Sequence, residues 1–129
     1  MKGLRKDGRA IRVMAVDDSP VTRKMIKKAL VPEGFEIVGE AGNGRDAVEL
    51  CEKIDPDIIT MDVTMPIMDG LEAALIIKQK NPRQKIIMLS AMSDQNIVEE
   101  AMSRGINHFC SKPFTAGDMV AKIMQVISE

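Results

Sequence analysis

The chain has 129 residues, of which 45% are hydrophobic and 29% charged, with a formal net charge of -1. That length fits one domain able to bury roughly two-thirds of its unfolded surface without disulfides or a structural metal, and that composition excludes a disordered chain. The near-zero charge gives no general attraction to nucleic acid, and no apolar run is long enough to cross a bilayer or to serve as a signal peptide, so a cytoplasmic protein is expected.

The chain opens with Lys2, Arg5, Lys6, Arg9 and Arg12 against Asp7 alone. Residues 1–10 therefore read as a solvated basic tail ahead of a single domain over residues 11–129. A first strand is predicted at "IRVMAV", residues 11–16, followed by a helix with Ser19 as N-cap and Pro20 at its first position. Val21, Met25, Ile26, Ala29 and Leu30 should share one face of that helix. "FEIVGEA", residues 35–41, gives a second strand, and "GNG" leads into a helix with Ala47, Val48, Leu50, Cys51 and Ile54 inward. Gly42 and Gly44 lack the G-x-G-x-x-G spacing and read as turn residues.

The third strand is "DIITM", residues 57–61, with a helix from Asp69 or Gly70. The fourth is "KIIMLSA", residues 85–91, with a helix from Ser93 or Asp94 that Gly105 can end. The fifth is "NHFC", residues 107–110, and the last helix has Thr115 as its cap with Asp118 three residues on. Strand alternating with helix predicts an α/β fold, a doubly wound parallel sheet of five strands with five helices, and the continuous apolar character of strands three and four predicts helices on both faces. Cys51 and Cys110 form no C-x-x-C pair, and the lone His108 stands within a strand, so all three are expected to be packing or surface residues.

Ligands of such sheets sit at the carboxyl ends of the strands. Asp17 and Asp18 end strand one, Asp62 ends strand three, Ser90 closes strand four and Lys112 follows strand five. Three carboxylates with one lysine leave the charge unbalanced, and an oxygen-only donor set suits Mg²⁺ rather than zinc. Asp62 can then act as a nucleophile toward a phosphoryl group, with Lys112 sharing the charge on the transferred oxygens and the Ser90 hydroxyl donating to one of them.

"VDDS", "PDIITMD", "MPIMDG", "LSA" and "KPF", in that order, resemble the receiver domain of two-component response regulators from about Ile11 onward. With no output domain in the sequence, the resemblance is strongest to the stand-alone, CheY-like chemotaxis regulators, of flavodoxin-like strand order 2-1-3-4-5. It implies that Asp62 is the phosphoacceptor, that Asp18 and Asp62 ligate Mg²⁺ directly and Asp17 through water, and that the Thr64 backbone carbonyl is a further ligand. It also implies that Ser90 is the switch hydroxyl, Lys112 the phosphate-binding lysine and Phe109 the switch aromatic. Thr64 stands where Asn is common, Ser90 where Thr is commoner, and Phe109 where Tyr is frequent; a main-chain ligand survives the first change, and Phe109 can change rotamer without hydrogen-bonding.

The implied partners are a sensor histidine kinase and a downstream target such as the flagellar motor switch or a histidine phosphotransferase, with a monomeric protein, no nucleic acid and no membrane insertion. A phosphorelay receiver and a phosphate sink are the alternatives within that class. A Mg²⁺-dependent phosphohydrolase would need a second acid two residues after its nucleophile, where this chain has Thr64. A receiver-like module that is never phosphorylated is the remaining alternative.

Overall fold

The computed structural model describes residues 2–129. Five parallel strands stand in the order β2-β1-β3-β4-β5, as the resemblance implies: β1 (Arg12–Val16), β2 (Glu36–Ala41), β3 (Ile58–Asp62), β4 (Lys85–Ser90) and β5 (Phe109–Ser111). Five helices join them: α1 (Pro20–Leu30), α2 (Gly44–Ile54), α3 (Gly70–Lys80), α4 (Gln95–Ser103) and α5 (Ala116–Ile127). The strand order reverses after β1, which puts β1 and β3 side by side at the centre and leaves β2 at an edge. That edge position explains why β2 ends without a chemically useful group.

Alternation along the central strands splits the core into two layers. Met14, Val16, Ile59, Met61 and Met88 face α2, α3 and α4, whereas Val13, Ala15, Ile58, Ile87 and Leu89 face α1 and α5. Every residue of β3 is buried, as a strand covered on both faces must be. The helix starts follow local chemistry. Ser19 accepts from the Thr22 amide, Asn43 from that of Asp46 and Asp69 from that of Glu72, while Thr115 and Asp118 cap each other reciprocally.

Three elements differ from the sequence expectation. Val21 and Met25 are 68% and 48% exposed, while Ile26, Ala29 and Leu30 are buried. Residues on a helix succeed one another at ~100°, so Val21 lies about 140° from Ile26, outside the stripe of roughly 100° that a single packed face covers. β5 begins at Phe109, two residues later than expected, and a 3-10 turn at Met92–Asp94 precedes α4.

Within residues 2–10, expected as a solvated tail, residues 2 and 4–9 are exposed while Gly3 and Arg5 are bonded to the body; residue 1 of that tail lies outside the described residues. Gly3 is buried, donates its amide to the Glu33 carbonyl at 2.7 Å and accepts from the Ile11 amide at 2.7 Å, while Leu4 bridges Ala10. Arg5 pairs with Asp57. Arg12 donates to the carbonyls of Ile54 and Asp55, which α2 leaves without partners at its C-terminus. Of the basic residues at the start of the chain, Arg5 and Arg12 thus hold structure together.

Gly70 opens α3 directly behind the end of β3 and donates to the Val63 carbonyl at 2.8 Å. A methyl group there would overlap the Asp62 carbonyl oxygen outright and stand 2.8 Å from its carbonyl carbon. Backbone on both sides cannot give way as a flexible side chain could. Gly70→Ala is therefore expected to destabilise the fold by about 2–4 kcal/mol, measured by urea unfolding. A loss below about 1 kcal/mol would show that α3 can slide away from β3.

Candidate functional site

Asp17, Asp18 and Asp62 each bring a carboxylate oxygen to within 4.8 Å of the others at the carboxyl end of the sheet. Asp17 and Asp62 are buried and Asp18 is exposed. Asp17 is fixed from several directions. Its amide donates to the Ala41 carbonyl at 3.0 Å, its carbonyl accepts from Arg23 Nη1 at 2.6 Å, and its Oδ1 accepts from the Ser19 amide at 2.9 Å. Its Oδ2 accepts from Lys112 Nζ at 2.9 Å, and the same ammonium donates to Asp62 Oδ1 at 3.0 Å. Both oxygens of Asp17 are therefore engaged by protein donors, which leaves Asp18 and the second oxygen of Asp62 the better placed to meet a cation.

Lys112 reaches this point because the chain leaves β5 beside β4, its amide donating to the Ser90 carbonyl at 2.8 Å, and then turns through a cis Lys112–Pro113 bond. Strand alternation sends Asp17, Asp62 and Lys112 toward the same side of the sheet as Val13, Ile58 and Cys110, where α1 and α5 pack. Ser90 and Phe109 lie on the opposite face, two rungs apart on neighbouring strands, since Ser90 pairs with Ser111 and Phe109 with Met88. Ser90 is buried, and Phe109 is half-buried against the cluster that also takes Ile97 of α4. His108 is at the other end of β5, 3.1 Å from Glu129, far along the strand from the acids.

The electrostatics follow from burial. Desolvation pushes the Asp62 carboxyl up to about 6, with Asp17 and Asp18 adding to the rise and the Lys112 hydrogen bond opposing it. For Lys112, burial alone would lower the ammonium, but its hydrogen bonds to Asp17 and Asp62 outweigh that and hold it above the ordinary lysine value. Three carboxylates against one ammonium leave two uncompensated negative charges. A divalent cation offsets them, and the donor set, oxygen without His or Cys, fits Mg²⁺.

One residue of the site escaped sequence reasoning. Asp94 is 7% exposed; its Oδ1 accepts from the Thr64 hydroxyl at 3.1 Å and its Oδ2 from the Ala91 amide at 2.8 Å. It thus joins the loop after Asp62 to the residue after Ser90. In the sequence it reads only as a helix start, because nothing local reveals that Thr64 is its second partner.

The family model described as "Response regulator receiver domain" matches residues 13–124. Chemotaxis protein CheY of Bacillus subtilis is 44% identical over 119 residues, covering 92% of this chain and 99% of that protein. CheY of Thermotoga maritima is 44% identical over 115 residues, covering 89% and 96%. A chain of the crystal structure of the CheX-CheY-BeF3-Mg complex from Borrelia burgdorferi superposes with a TM-score of 0.92 at 30% identity, covering 99% of this chain and 98% of that one. A matched model spanning nearly the whole sheet and the three clustered aspartates, joined to relatives of nearly equal length, makes this chain a CheY-like member of the response regulator receiver family.

Proposed function

We propose that the protein is a phospho-accepting switch of a two-component system, most closely suited to chemotaxis, in which Asp62 takes a phosphoryl group from a sensor histidine kinase. The observation that carries this reading is the single ammonium of Lys112 held between Asp17 and Asp62 at 2.9 and 3.0 Å, beside a third carboxylate. The free oxygen of Asp62 attacks phosphorus. A P–O bond forms, the P–N bond to the kinase imidazole breaks, and its electron pair stays on the imidazole nitrogen, which takes up a proton.

Lys112 moves from a pure carboxylate partner to a donor for the transferred oxygens, and the Ser90 hydroxyl donates to another once the loop carrying it closes. Phe109, on the same face as Ser90, then changes its packing and alters the surface that a target reads. The residues that hold Mg²⁺ in this reading are Asp18, Asp62 and the Thr64 carbonyl, with Asp17 acting through water. When bound, that ion neutralises charge on the phosphoryl oxygens. The chemistry is performed on the protein itself, so the molecule is a switch and not a metabolic enzyme. Residues 11–129 form the receiver unit, preceded by the basic segment 1–10, of which Gly3 and Arg5 are bonded to it. The output partner is a flagellar motor component or a histidine phosphotransferase, and the protein works in the cytoplasm as a monomer.

Incubation with acetyl phosphate and Mg²⁺ followed by intact mass measurement tests this. A single added phosphoryl group, absent from Asp62→Asn and absent without Mg²⁺, is the expected result. No adduct with any phosphodonor would favour a receiver-like interaction module, and turnover of small phosphate esters would favour a phosphohydrolase.

A further inference from the structure

We propose that Asp94 is a latch that holds the Ser90 loop in its phosphate-free position, and that a phosphoryl group on Asp62 must displace it. The inference rests on the phosphorylation reading above and assigns a positioning role to a residue outside the acid cluster. Three observations carry it. First, both oxygens of a nearly fully buried carboxylate are used, one by Thr64 Oγ1 at 3.1 Å and one by the Ala91 amide at 2.8 Å. Second, those partners sit at the two places that the switch must move relative to each other: Thr64 is two residues beyond the phosphoacceptor, and Ala91 immediately follows the switch hydroxyl.

Third, the latch is an anion. The cleft already holds Asp17, Asp18 and Asp62 with only one ammonium among them, so an arriving phosphoryl group adds charge of the same sign as Asp94 near the same rim. The phosphoryl oxygens also want hydrogen-bond donors, and the Ala91 amide is a donor that Asp94 occupies. The group that should pull Ser90 inward thereby competes with the carboxylate that holds the neighbouring residue in place. Asp94 weights the equilibrium toward the off state, and its release is part of switching on.

The rival explanation is a purely local one, in which Asp94 does no more than cap the turn before α4. Its own amide returns a bond to the Ala91 carbonyl at 3.0 Å, as a cap would. A cap has no reason to bond Thr64 from another loop, and removing a cap changes stability without changing affinity for a phosphoryl mimic.

The experiment is calorimetric titration of the full chain with beryllofluoride in the presence of Mg²⁺, for the parent protein, Asp94→Ala, Asp94→Asn and Thr64→Val, with circular dichroism to confirm folding. Hydrogen bonds to a charged group are strong enough that Asp94→Ala is expected to bind the mimic about ten-fold more tightly. Thr64→Val, which removes one arm, should show a smaller gain. Asp94→Asn keeps an acceptor for Ala91 and a donor for Thr64 but no charge, and is expected to fall between parent and Asp94→Ala. If Asp94→Ala does not fold, Asp94→Asn and Thr64→Val carry the test. Equal or weaker binding in folded variants, with the parent binding normally, overturns the latch. A parent that binds no beryllofluoride overturns the phosphorylation reading instead, and the latch with it.

Discussion

Lys112→Met is expected to slow phosphorylation of Asp62 from acetyl phosphate by at least ~100-fold, the loss typical of removing one preorganised donor from a transferred oxyanion. Methionine is likewise unbranched and only one heavy atom shorter, so the change removes charge and hydrogen bonds while filling much of the same space. Two consequences act in the same direction. The transferred oxygens lose an ammonium that stands within 3.0 Å of the acceptor carboxylate. The carboxylates of Asp17 and Asp62 also lose their shared cation, which drives Asp62 further toward its protonated form and away from nucleophilicity.

Lys112→Arg separates charge from geometry. A guanidinium keeps the charge, but its rigid fork cannot place one nitrogen between two oxygens at 2.9 and 3.0 Å as a compact ammonium does. Its rate should fall by less than that of the methionine variant while remaining below the parent. Time courses of intact mass at fixed acetyl phosphate and Mg²⁺ give all three rates. A Lys112→Met rate within about three-fold of the parent would remove Lys112 from the chemistry and reduce it to a structural counter-ion.

The features legible in the sequence share one property: each is set by a few neighbouring residues. Ser19 before Pro20, Thr115 with Asp118, and the unbroken apolar runs of β3 and β4 fix where helices start and which strands are buried. Once those strands are parallel, their carboxyl ends must lie together, and Asp17, Asp18, Asp62, Ser90 and Lys112 are brought to one edge by topology alone. What escaped depends on contacts between distant segments. Arg5 finds Asp57, Arg12 caps α2, Gly3 lies under Glu33 and Phe35, and Asp94 reaches Thr64. Composition near the chain start placed Arg5 in a solvated tail because a charged run gives no sign of the carboxylate that awaits it.

Asp62→Asn is expected to be more stable than the parent in Mg²⁺-free buffer at pH 7.5, by about 1–3 kcal/mol. Asp62 is only 6% exposed, and burial raises its pKa to about 6, above the value near 3.8 of an unhindered carboxyl. Between those two pH values the folded state binds a proton that the unfolded state has released, so stability falls as pH rises through this window. Above it the parent carries the full penalty of a desolvated, like-charge-crowded carboxylate, and the asparagine variant does not. Urea unfolding at pH 7.5, 5 and 3.5 should therefore show the advantage of Asp62→Asn shrinking with acid and vanishing once Asp62 is protonated in both states. An advantage independent of pH would mean that the ionisation of Asp62 is not its source, and a variant less stable than the parent at pH 7.5 would mean that the bond to Lys112 more than offsets burial. Mg²⁺ should narrow the difference from the other side, by stabilising the parent more than the variant through binding to the folded state. A carboxylate that is costly to keep bare and is stabilised by a dication suits an acceptor that must stay unreactive until metal and phosphodonor arrive together.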